Sequence, residues 1–179
     1  MSKKLDKLAA KEQKILAKLE LIDGTIAEQI AAIKAEKIYQ KYQKIHQKYL
    51  KIAQSSDDPT EAEEALKRGI FINWFAFVEP DFISGIGELE DEVAVAFYSI
   101  LEDEIREQTI DNELVWMLFY YAAKSDWVLL YYAERRFPNI TKFVARTDQL
   151  LTPVLLEKLS GQEFTERGQM GIYWDEILQ

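Results

Sequence analysis

The first 54 residues carry two apolar seams that point in different directions, and any fold must give each seam something to cover. On a helix turning roughly 100° per residue, Leu5, Leu8, Ile15, Leu19, Ile22, Ile26, Ile30 and Ile33 share one stripe, with Glu12 in one slot. Their spacings of 3, 4 and 7 are those of a coiled-coil seam. A seven-residue repeat follows, Ile38-Tyr-Gln-Lys-Tyr-Gln-Lys and then Ile45-His-Gln-Lys-Tyr-Leu-Lys, ending at Ile52. It sets Ile38, Tyr42, Ile45, Tyr49 and Ile52 on a second seam, roughly a quarter to a third of a turn from the first. Lys37, Lys41, Lys44, Lys48 and Lys51 continue the line that the first seam leaves.

Two readings of this stretch compete. Asp23-Gly24-Thr25, with Thr25 and Glu28 spaced as a capping box, allows a helical hairpin. A hairpin pivoting at Gly24 sets Leu5 and Leu8 opposite Lys41 and Lys44, a poor match. The stripe also runs straight through Gly24, and a glycine inside a helix costs only about 1 kcal/mol. The spacing therefore favours one long helix, on the order of 75 Å at 1.5 Å per residue.

Beyond it, 54–59 reads as a polar loop, and Thr60 with Glu63 as a second capping box opening a helix to about Val78. The last part of that helix, 70–78, is apolar all round, as in a helix buried on several sides. The short connection predicts antiparallel packing against the Ile/Tyr seam. Pro80 ends the helix, an amphipathic helix is expected near 89–107, and Asp111 is placed to cap the next. A repeat offset by 11 then pairs Trp116-Met-Leu-Phe-Tyr-Tyr-Ala-Ala-Lys124 with Trp127-Val-Leu-Leu-Tyr-Tyr-Ala-Glu-Arg135. Ser125-Asp126 resembles an N-cap and favours two short helices in a hairpin over one continuous helix. Asn139, and Thr152 before Pro153, read as further helix starts. The expected fold is all-α: a long, coiled-coil-like N-terminal arm (1–54) packed onto a compact, aromatic-rich body of short helices (60–179).

Charge divides the same way. Residues 1–54 hold 12 Lys and 6 acids, a net +6, and the remainder holds 10 basic and 25 acidic residues, a net −15. The chain has no cysteine, so disulfide scaffolds and thiolate metal sites are excluded. Its longest apolar run, 114–123, has 10 residues, half of what a membrane helix needs (about 20). The N-terminal residues lack the apolar core of a signal peptide, so a cytoplasmic protein is expected.

No catalytic constellation stands out. His46 is the only histidine, one short of the two that a bundle di-iron site needs, and its neighbours offer no carboxylate pattern for a ligand set. Gly85-x-Gly87 lacks a P-loop lysine and a third glycine, and the acids at 88–92 that follow would repel a phosphate. The clusters at 88–92 and 102–104 have the composition of solvated helix faces. Glu113, Glu134, Arg135 and Arg136 share no spacing that demands a pocket. No cofactor, metal or small-molecule substrate is expected. The expectation is a non-enzymatic protein–protein interaction module of the adaptor, inhibitor or immunity type. Its arm would bind another protein or its own copy through Leu5, Leu8, Ile15, Leu19, Ile22, Ile26, Ile30 and Ile33, and its acidic body would face a basic partner. The alternative is a nucleic-acid-binding protein using Lys37, Lys41, Lys44, Lys48 and Lys51, although a stripe without Arg is a weak base reader.

Overall fold

A computed structural model describes residues 2–146 and 157–179, and among these the fold is all-helical, with no strand. The helices are α1 (Lys3–Leu19), α2 (Ile26–Ala35), α3 (Ile38–Ser55), α4 (Pro59–Val78), α5 (Asp81–Ser84), α6 (Asp91–Glu107), α7 (Asn112–Ala133), α8 (Pro138–Val144) and α9 (Gly168–Ile177). Residues 157–160 are also helical. The helix start expected at Thr152 and Pro153 lies outside the described residues.

The single long arm is not what forms. The capping box wins over helix continuity: the Thr25 side chain accepts the Glu28 amide, and the Glu28 carboxylate accepts the Thr25 amide at 2.8 Å. Gly24 precedes it at φ +113°, a conformation that breaks the helix. A second break falls at Lys37, left-handed at φ 55°. The chain therefore turns twice, and α2 acts as a spacer that returns α3 alongside α1. The two helices are antiparallel: Lys18 pairs with Glu36 at one end (2.8 Å), and Tyr49 donates to Glu12 midway (2.5 Å). A pivot at Gly24 would have put Leu5 opposite Lys41, whereas this double turn brings Lys11 against Lys48. Helices α1 and α2 both pack on α5, but of the stripe's α2 residues only Ile33 enters the core.

Helix α4 is the hub. It starts not at the expected Thr60–Glu63 capping box but at Asp58, whose side chain accepts the Thr60 and Glu61 amides, with Pro59 at a position that needs no amide hydrogen. Leu66, Ile70, Phe71, Ile72 and Trp74 are each at most 2% exposed, as the all-round apolar run requires. The Ile/Tyr seam of α3 lies along it, with Ile38, Tyr42, Ile45 and Tyr49 buried. Helix α6 covers another side, where Phe97 sits over Gly69. Helix α7 runs beside α4, with Tyr121 stacked on Trp74 (4.4 Å) and Tyr131 tilted against Phe77 (5.1 Å). The expected Trp-repeat hairpin is corrected accordingly. The backbone does break at Ser125 (φ −163°, ψ 73°), but as a kink, and both halves continue along α4. From α1 to α9 the buried side chains form one core.

His46 belongs to that core. It is 1% exposed, stacks on Phe97 (4.9 Å) and has one ring nitrogen on the Gly69 carbonyl. Burial pushes its pKa from 6.5 down to about 3. Between those values the unfolded chain binds a proton that the folded chain refuses, so stability falls as pH drops. Glu63 and Glu104 act in the opposite sense. Burial first, then neighbouring carboxylates, raise them to about 6 and about 7, so their stabilisation is lost as pH rises through those values. His46→Gln removes the first effect and leaves the second. Thermal melts from pH 7 to pH 4 should show the wild type losing stability relative to this variant. Parallel pH profiles would refute this assignment.

Candidate anion-binding groove

Each turn of α1 and α3 places a lysine on one shared surface. On α1 the row is Lys4, Lys7, Lys11, Lys14 and Lys18, and on α3 it is Lys41, Lys44, Lys48 and Lys51. The antiparallel pairing brings the rows together along a groove floored by Leu8, Ile15, Ile45 and Ile52. Two hollows of about 320 and 350 Å³ share Lys11 and Lys48 as their common wall. The floor side chains are largely used in the core, so what the groove offers is mainly ammonium groups and the lysine stems beside them.

The groove is electrostatically incomplete. At its ends Lys18 and Lys41 share Glu36 (2.8 and 3.9 Å), and Lys4 reaches Glu61 (3.4 Å). Among the described residues no carboxylate pairs with Lys7, Lys11, Lys14, Lys44, Lys48 or Lys51. The charge of Lys48 lowers the pKa of Lys11, with Lys14 and Lys7 adding to the effect. Like charges held this close favour any anion that settles between them.

The residues expected to bind a partner are divided by the fold. Leu5, Leu8, Ile15 and Ile33 are at most 4% exposed, so these four have no free surface to offer. Their physical reason for burial is the fold-back of α1, which gives the first seam a partner inside the chain. Leu19, Ile22 and Ile30 are half-buried, and Ile26 alone of the eight is exposed. Of the basic stripe, Lys41, Lys44, Lys48 and Lys51 line the groove, whereas Lys37 forms the left-handed entry to α3 and lies off it. The α1 row was missed, although its spacings of 3, 4, 3 and 4 carry the same signal as the α3 row.

The other candidates are structural in this fold. Gly85 turns at φ +71° against Leu19, and Gly87 abuts Tyr39. The 102–104 cluster is split: Glu102 accepts the Asn139 and Ile140 amides (3.0 and 2.9 Å), while Glu104 is partly buried near Glu63. Glu113 pairs with Lys67 and Arg167, and Glu134, Arg135 and Arg136 stay exposed. A hollow of about 800 Å³ beside α4 is lined by acids, Glu63 among them, but its cations Lys67 and Arg167 are already held by Asp111, Glu113 and Glu64. Among the described residues no group of His, Cys, Asp and Glu is arranged to hold a metal ion, and no helix is long and apolar enough to cross a membrane.

No known protein family, curated protein or solved structure matches this chain.

Proposed function

We propose that the chain is a non-enzymatic interaction module that captures an acidic amphipathic helix of another protein along the α1–α3 groove. The lysine period carries this reading. Successive lysines stand 3 or 4 residues apart, about 5 Å of helix rise per step, which is the repeat of carboxylates placed once per turn on a partner helix. The row from Lys4 to Lys18 extends about 20 Å, enough for some four such turns. The lysine stems along the groove give the partner's hydrophobic seam a place to lie.

Two features favour a protein over a nucleic acid. The groove contains no Arg. The tyrosines of α3, Tyr42 and Tyr49, are fully buried and offer no platform for stacked bases. The exposed lysines make association fast and salt-sensitive rather than tight.

The test is fluorescence anisotropy with a synthetic helix of about three heptads, Leu on its seam and Glu on both flanks. Replacing Lys7, Lys11, Lys44 and Lys48 by Glu should raise Kd at least about 30-fold, since four exposed pairs together contribute about 2 kcal/mol. Circular dichroism should not change, because among the described residues none of the four pairs with a carboxylate. Equal binding by this variant overturns the proposal. Steeply salt-dependent binding of a short RNA or DNA, without binding of the peptide, installs the nucleic-acid reading instead.

A further inference from the structure

We propose that a second site, on the face formed by the end of α4, α5 and the kinked half of α7, binds a guanidinium group. Its independent basis is a hollow of about 570 Å³, a size suited to a small ligand or one long side chain. The floor holds Asn73, which is 1% exposed. Neither its Oδ1 nor its Nδ2 has a hydrogen-bond partner among the described residues. A buried amide left without a partner costs stability, and a ligand N–H group donating to its oxygen would remove part of that cost.

The walls select the ligand class. Phe77 and Tyr131 are 37% and 60% exposed and meet at 5.1 Å with their rings tilted 50° to each other, leaving aromatic surface outside the core. Four carboxylates stand around them, from Glu79, Asp81, Glu88 and Asp91, and no Lys or Arg among the described residues pairs with any of them. Asp81 Oδ2 accepts the Tyr39 hydroxyl (2.7 Å) and Asp91 Oδ1 the Tyr132 hydroxyl (2.9 Å), which fixes both groups and leaves one oxygen of each without those bonds. Flat aromatic faces, fixed carboxylate oxygens and a buried amide oxygen together match a planar cation with several N–H donors. A guanidinium stacks on the rings and donates sideways at once. An ammonium satisfies the charge but lacks a face to stack. A quaternary ammonium has no hydrogen to give Asn73.

Intrinsic fluorescence gives a readout, since Trp127 packs edge-on against Phe77 at 5.7 Å. Titration of the full chain with arginine amide should give a saturable change with Kd of about 1 mM or tighter. Citrulline amide, the same shape without the charge, should give none. Asp91→Asn, at an exposed position, should raise Kd about tenfold and leave the fold unchanged. Asn73→Leu should abolish binding while preserving or raising the melting temperature, because it removes the unpartnered amide. A capped arginine peptide binding more tightly than arginine amide identifies a protein side chain as the occupant, and equal affinity identifies a small guanidine. Citrulline amide or lysine amide binding as well as arginine amide overturns the assignment, as does unchanged affinity in both variants.

Discussion

Arg167→Ala is expected to lower the unfolding free energy by about 3 kcal/mol or more. Arg167 is only 6% exposed. Its Nε and Nη2 donate to the two oxygens of Glu64 at 2.9 and 2.5 Å, and its Nη1 meets Glu113 and the Glu163 carbonyl. The guanidinium also lies over the Phe164 ring, 4.9 Å from its centre. One side chain thus ties the segment entering α9 to both α4 and α7. Burial opposes ionisation of Glu64, and Arg167 and Arg68 overcome that opposition, holding its pKa below the usual carboxylate value. Alanine leaves Glu64 with Arg68 (2.7 Å) and Glu113 with Lys67 (3.0 Å). Those residual pairs place the loss toward the lower end of the range for a broken buried ion pair, about 3–5 kcal/mol. For a chain of this size the melting temperature should fall by about 6–12 °C. Arg167→Lys keeps the charge but loses the two-pronged bond, and should recover less than half of the difference. Added salt should change little, in contrast to the exposed lysine groove. A melting temperature within 2 °C of the parent, measured by calorimetry, would show that the seam does not hold α9 in place.

How much of this was legible depended on whether a signal was local. The seven-residue repeat from Ile38 and the apolar run at 70–78 predicted their own pairing, and α3 does lie on α4 with Ile38, Tyr42, Ile45, Tyr49 and residues 70–75 buried, while Phe77 at the end of the run is exposed. The Thr25–Glu28 capping box was visible as a residue spacing, and so was the break at Ser125, whereas the Thr60–Glu63 spacing misplaced the start of α4, which Asp58 caps. The direction of the chain after each break was not visible. A helix cap states that a helix begins, and says nothing of the angle between it and the last one. At Gly24 the apolar phase is the same for a straight helix as for one that folds back over the same core, so periodicity could not separate them. The left-handed Lys37 had no sequence signal, since the residue is neither Gly nor Asn. Without that second turn, the two lysine rows could not be seen to meet. Glu12 was the one available clue: an acid in an apolar seam needs internal donors, and it finds them in the Tyr49 hydroxyl (2.5 Å) and the Gln169 amide (2.7 Å). That pairing was a sign that the seam faces the chain's own core. The Arg167 seam and the Asn73 hollow join residues far apart in sequence, which no spacing rule reaches.

Gly69→Ala tests the hub of the fold and is expected to destabilise by about 3 kcal/mol. Helix propensity alone predicts the reverse, since alanine in a helix interior is favoured over glycine by about 1 kcal/mol. Space decides the sign. A Cβ at this position would stand 2.1 Å from Cε1 and 2.2 Å from Cζ of Phe97. Those are the outer atoms of a side chain, which in an open setting would swing aside. Here they have nowhere to go: Phe97 is fully buried, and His46 is stacked on it at 4.9 Å while holding the Gly69 carbonyl from the other side. Moving the ring displaces His46, and moving His46 breaks its bond to the same residue that was changed. The strain therefore reaches α3, α4 and α6 together. Phe97→Leu in the Gly69→Ala background should recover part of the loss, whereas Phe97→Leu alone should destabilise by leaving a cavity beside the glycine. The two changes are thus expected to be less harmful together than the sum of each alone, with a coupling of about 1–2 kcal/mol in a double-mutant cycle by urea denaturation. Strict additivity, or a Gly69→Ala variant as stable as the parent, would mean that α6 has room to move away from α4 and that the glycine is there for some reason other than the closeness of the two helices.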